Sequence, residues 1–169
     1  MPRPMFHAFA TGLALVPSGC SATRVAFSGT DDVEAMVIGE LDAATETAHV
    51  AIYTITAANI SSALVNAAGR GVEVQVVADR SQSDWPDQAG LLVNLEEGGV
   101  DVRVADGWNG GIMHHKFVVV DGRTVATGSF NFTLSANNAN DENLLVLSDP
   151  ELALAYEDAF QELWSRAQD

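Results

Sequence analysis

The chain has 169 residues and an apolar content of 47%, which suits one domain with a proper core and rules out a disordered chain. One cysteine excludes an internal disulfide and a multi-cysteine metal centre. A formal net charge of −15 works at long range against nucleic acid and anionic membranes, unless high salt screens it.

Residues 1–20 contain no acid, one base (Arg3) and an apolar run from about Met5 to Val16, ending in Pro17-Ser18-Gly19-Cys20. This resembles a secretory signal peptide and predicts export, with lipid attachment at Cys20 as a weaker reading. The alternatives are a docked N-terminal helix or a misplaced start, which would leave the protein cytoplasmic. The run is too short to span a membrane as a helix. Residues 21–169 read as a single domain.

Arg24 to Phe27 reads as a short strand. Thr30, Asp31 and Asp32 cap a helix running to about Thr45, with Val33, Met36, Val37 and Leu41 on its apolar face. Ala48 to Tyr53 is a buried strand, in which His49 is expected to be a core residue. A helix follows from about Ala57 to Gly71, then a strand from Val72 to Val77. Asp87 to Glu97 is a helix and Val100 to Val104 a strand. Asn143 to Leu147 is the last strand, and Asp149-Pro150 opens a helix to about Arg166, with proline at the tolerated first position. Strands separated by helices predict an α/β fold with a mixed, mostly parallel β-sheet and helices on both faces.

Two loops flank the richest stretch of the chain. Residues 80–86 follow a strand, where open α/β sheets bind ligands, and Ala105 to Met113 gain freedom from Gly107, Gly110 and Gly111. Arg80, Trp85 and Trp108 in these loops are candidate substrate contacts, since an indole can stack on a base, insert into lipid or cover the core. Any basic groove must come from Arg24, Arg70, Arg80, Arg103 and Arg123.

Between these loops and the last strand, residues 114–131 read as two short strands around Asp121-Gly122, a strong two-residue hairpin signal. A two-residue turn makes Val120 face Arg123, Lys116 face Thr127 and His114 face Ser129, with Asn131 on the same side by parity. His115 then points away. One face collects an imidazole, an ammonium, a hydroxyl and an amide, which suits a phosphoryl group. Lys116 is the only lysine in the sequence.

The pattern His114-x-Lys116-x4-Asp121-x6-Gly128-Ser129-x-Asn131 resembles, position for position, the HKD signature of the phospholipase D superfamily. With Gly-Ser-Phe-Asn-Phe-Thr at 128–133 and Glu142-Asn143 downstream, it is most similar to small single-motif members, the bacterial Nuc-type endonucleases and their mitochondrial relatives. The resemblance implies a phospholipase D-like half with one motif per chain. It also implies catalysis by His114, Lys116, Ser129 and Asn131 without a metal ion or other cofactor. Glu142 is expected to accept from the imidazole of His114 and fix its tautomer. Asp121 and Gly128 are expected to be structural.

In-line displacement at phosphorus needs one group to attack and another to protonate the leaving oxygen, and one His114 cannot do both. A homodimer that pairs two motifs across a two-fold axis supplies the second imidazole. The implied path runs through a covalent phosphohistidine. Nucleic acid is the expected substrate, phospholipid or cardiolipin the alternative, and a non-catalytic phosphate-binding protein the third reading. No stable partner protein is expected. Two rival chemistries fit less well. Metal-assisted hydrolysis lacks a carboxylate cluster beyond Asp141-Glu142, and a serine hydrolase lacks the G-x-S-x-G elbow.

Overall fold

A computed structural model describes residues 23–168, so the expected export segment at 1–20 lies outside the described residues. The elements are, in order, β1 (Thr23–Phe27), α1 (Val33–Ala43), β2 (Thr47–Ile52), α2 (Ala58–Gly69), β3 (Glu73–Asp79) and α3 (Arg80–Ser83). There follow α4 (Pro86–Glu97), β4 (Asp101–Ala105), β5 (Lys116–Val120), β6 (Thr124–Gly128), α5 (Leu134–Asn138), β7 (Asn143–Ser148) and α6 (Pro150–Arg166). Among the described residues no helix is long and apolar enough to cross a membrane.

The strands form one mixed sheet in the order β1-β7-β6-β5-β2-β3-β4. Parallel pairing is confined to β2-β3 and β3-β4, whereas the pairs β1-β7, β2-β5, β5-β6 and β6-β7 are antiparallel. The sheet is therefore mixed, as expected, but most of its neighbours are not parallel. After β4 the chain adds β5, β6 and β7 on the other side of β2, each antiparallel to its neighbours, and the β5-β6 connection is a tight hairpin turn that permits no other pairing.

Helices cover both faces. One side packs Val50, Val76, Val118, Val120 and Ala126 against Val37 and Leu41 of α1 and Leu64 of α2. The other packs Ala51, Val77, Val119 and Val125 against Phe160 and Leu163 of α6. Phe160 is fully buried, which stabilises the fold by about 1.5–3 kcal/mol. His49 stacks on it at 4.8 Å, with Nδ1 2.8 Å from a Glu157 carboxylate oxygen, and is a core residue.

The helix starts follow their caps. Asp32 accepts from the Ala35 N–H and Asp149 from those of Glu151 and Leu152. The loop expected at 80–86 is instead mostly helical, because the Asp79 carboxylate accepts from the Gln82 N–H and caps α3, while Pro86 opens α4.

The central hairpin keeps its turn but not its register. Asp121 and Gly122 adopt left-handed φ of 51° and 59°, and the Arg123 N–H donates to the Val120 carbonyl. Val120 then pairs with Thr124, not Arg123, and Phe117 with Thr127. This one-residue slip leaves Arg123 outside the ladder and lets Val125 share the α6 face with Val119. In the expected register Arg123 would share the apolar face of Val118 and Val120, at the cost of a buried charge.

Asp121 reaches across to the loop between α1 and β2. Its carboxylate accepts from the backbone N–H groups of Thr45, Glu46 and Thr47 and from the Thr45 hydroxyl. Burial acts to raise its pKa, but these donors outweigh it and hold the carboxyl below its ordinary range. A lowered pKa contributes stability that is complete above the unfolded carboxylate value and lost as pH falls through the folded one. Asp121→Asn is therefore expected to cost about 1–2 kcal/mol at neutral pH, the lower part of the range for bonds to a charged acceptor, because the group stays partly open to solvent. Urea unfolding across pH checks this, with the gap between variant and wild type closing below about pH 4.

Candidate active site

The slip changes which groups meet. Lys116 lies beside Ile52 of β2 on one flank and level with Gly128 on the other, so His114 does not face Ser129 across the ladder. Gly128 is required there, since a Cβ would sit 2.1 Å from the Asn143 carbonyl oxygen. Beyond Gly128 the chain leaves the end of β6 and crosses past β5 to the segment after β2, where Phe132 bridges Ile55 and donates to the Thr54 carbonyl. Gln88 fixes the receiving segment by accepting from the Ile55 N–H at 2.9 Å. This crossing, and not a continued strand, carries Asn131 toward the β2 end where Tyr53 and His114 meet. Its Oδ1 is buried and has no hydrogen-bond partner among the described residues.

His114 and Lys116 come together around a residue that sequence reasoning missed. The imidazole of His114 is exposed and tilts against the ring of Tyr53 at 4.6 Å. The buried Lys116 ammonium donates to the His114 carbonyl at 2.9 Å and lies 5.2 Å from the same ring. Tyr53 follows the last residue of β2, a carboxyl end of the kind that had singled out residues 80–86, and that signal could have found it. Burial pushes the Lys116 ammonium below its ordinary range, and the nearby Glu142 carboxylate offsets part of this.

Ser129 and Glu142 form a second group. The Ser129 hydroxyl donates to one carboxylate oxygen of Glu142 and accepts from the Asn143 N–H at 3.1 Å, while Asn140 donates to the other Glu142 oxygen. Among the described residues the expected bond from His114 to Glu142 is not formed. The carboxylate is held by Ser129 and Asn140, because the register places Ser129 beside the start of β7.

His115 also departs from expectation. It packs edge-on against Phe117, yet it shares with His114 the walls of two cavities, of about 450 and 410 Å³. Burial, and then the charges of Arg166, Lys116 and His114, hold its imidazole below its ordinary pKa, so it is neutral at pH 7.

The arginines are mostly committed elsewhere. Arg24 pairs with Glu40, Arg70 donates to carbonyls at the end of α1, and Arg80 is tied to Asp106 and Gln168. Arg103 lies over the Trp164 ring at 4.2 Å. Arg80 lines neither of these cavities, and Arg166, which sequence reasoning passed over, lines the larger one with His114. Trp85 and Trp108 are 66% and 77% exposed, so neither covers the core, and Trp108 alone of the two lines that cavity.

A buried carboxylate anchors the approach to His114. Asp79 is 1% exposed and accepts from the Met113 N–H at 2.6 Å as well as from Ser81 and Gln82. Among the described residues no group of three or more His, Cys, Asp or Glu side chains could hold a metal ion.

The family described as "Cardiolipin synthase, PLD-like domain" matches residues 37–164, most of the chain. The chain belongs to the phospholipase D superfamily. Within it, the chain is 34% identical over 148 residues to the mitochondrial cardiolipin hydrolase of Chlamydomonas reinhardtii, covering 88% of this chain and 65% of that protein. It is 36% identical over 120 residues to a phospholipase D of Rickettsia conorii, covering 71% of this chain and 58% of that one. The chain therefore spans less than two thirds of these curated relatives. Among solved structures, Nuc of Salmonella typhimurium, described as a phospholipase D family member, superposes with a TM-score of 0.84 at 31% identity. That likeness covers 88% of this chain and 97% of Nuc. The phospholipase D-like fold expected from the HKD pattern is thus present.

Proposed function

We propose that this chain is a metal-independent phosphodiesterase that cleaves nucleic acid through a phosphohistidine, at a site shared by two copies. The observation that carries this is the exposed His114 imidazole set against Tyr53 beside a buried Lys116 ammonium. The imidazole can reach a phosphorus atom from solvent, while the ammonium takes up charge on the phosphate oxygens. A positive group in that place opposes a bound cation and replaces its electrostatic role.

In the proposed reaction a ring nitrogen of His114 attacks phosphorus and the bond to the leaving oxygen breaks. The partner subunit's His114, protonated at the start, gives that oxygen its proton. The same imidazole, now neutral, takes a proton from water as the water displaces His114 from phosphorus. Lys116 and Asn131 hold the phosphate oxygens, and Ser129, kept in place by Glu142, assists. Pairing is supported by an apolar surface on the α6 side of β1 and β7, where Val25 and Phe27 are 53% and 55% exposed beside Leu145. Nucleic acid is favoured because Nuc is matched over nearly its whole length. The names of the curated relatives favour phospholipid as the second reading. Export through residues 1–20 belongs to the same proposal.

Purified protein incubated in EDTA with single-stranded DNA, duplex DNA, RNA and cardiolipin vesicles tests this. Cleavage of a nucleic acid is expected, at a rate unaffected by the chelator. Turnover of vesicles alone would replace the substrate, and turnover of nothing would leave a binding protein.

A further inference from the structure

The two cavities meet at His114, His115 and Ala159, and their far walls differ. One contains Lys116 and Thr127, and the other contains Trp108, Glu162 and Arg166. A substrate lying across the histidines enters both. Arg166 is exposed, and its guanidinium is steadied by donating to the Asp106 carbonyl, which leaves further N–H groups for a ligand. In a chain of net charge −15 whose other arginines are largely tied to the fold, this is a chosen place for a cation.

We propose that the cavity between Trp108, His115 and Arg166 binds the neighbouring phosphate of a nucleic acid strand while the scissile phosphate sits at His114. This rests on His114 as the point of cleavage and adds a requirement, a second anionic linkage next to the one cut. Arg166 holds the phosphate and a ring N–H of His115 donates to it. The exposed face of Trp108 stacks on the attached base. A strand is favoured because Arg166 and His115 offer donors to a second phosphate within reach of an exposed indole, while Ile112, Met113, Ala159 and Leu163 complete an apolar wall against which a base can lie. Glu162, four residues before Arg166 on α6, keeps the wall from attracting anions without the extra contacts of base and ester.

The test compares short single-stranded oligonucleotides that differ at one linkage, the neighbour of the cleaved one, as phosphate or as neutral methylphosphonate. Wild type is expected to prefer the charged neighbour by roughly tenfold in kcat/KM, and Arg166→Gln to lose that preference to within about twofold. Arg166→Lys is expected to restore part of it, which loosening of the loop at Asp106 would not. The same pairs are measured for binding by fluorescence anisotropy on a His114→Ala background, where no cleavage is needed. Discrimination in binding that vanishes in the double variant supports the subsite even if the catalytic reading fails. Equal binding of both oligonucleotides by the protein with Arg166 intact, or a preference that survives Arg166→Gln, overturns it. So does tight binding only to vesicles of cardiolipin, which would hand the cavity to a lipid.

Discussion

Substituting alanine for His114 is expected to lower diester hydrolysis by at least roughly a thousandfold, because a group that forms and breaks the bond to phosphorus has no substitute nearby. His115 shares the cavities, but its ring packs edge-on against Phe117, whereas the ring set against Tyr53 is that of His114. The imidazole of His114 is exposed and its ring contact is with one neighbour, so the variant should keep its fold. Thermal unfolding within a degree or two of wild type, with turnover gone, is the expected pair of results. A denaturing quench of wild type during turnover should trap a peptide containing residue 114 joined through phosphorus to the retained strand fragment, and the variant should yield none. Near-normal rates in the alanine variant would remove His114 from the chemistry altogether.

Gly128→Ala is expected to do the reverse and damage the fold first. The new methyl group would stand 2.1 Å from the Asn143 carbonyl oxygen, which cannot move without parting β6 from β7. Ser129 donates its own N–H to that carbonyl, so the hydroxyl that holds Glu142 would shift with it. Overpacking against backbone costs about 3 kcal/mol, or about 6–12 °C in melting temperature for a chain of this size. Activity should fall as well, since Lys116 lies alongside. A variant as stable as wild type would mean that the strands can spread there at little cost.

Much of this was legible in the chain itself. The caps Asp32 and Asp149, the apolar spacing of α1 and α2, and the HKD pattern follow from residue types at fixed separations, so the elements and the motif could be read. Asp121-Gly122 predicted the tight turn. The slip at Arg123 could not be read from the turn, because it is decided by which side chains the two faces of the sheet will accept. Tyr53 was within reach of the rule that ligands gather at the carboxyl ends of strands, but the roles of Asp79 and Arg166 stayed hidden for a related reason. Each acts through a partner distant in sequence, and only the sheet order brings β2, β3 and α6 around the segment 113–116. Arg24, Arg70 and Arg80, counted toward a basic groove, are drawn off because long side chains find carbonyls and carboxylates that no spacing rule records.

The carboxylate of Asp79 couples two segments that look independent on paper. It starts the helix leading to Trp85 and also fastens the backbone one step ahead of His114. Anyone grafting a new specificity onto this scaffold would have to transplant both loops with their shared anchor. Exchanging one alone would slacken the footing of the other.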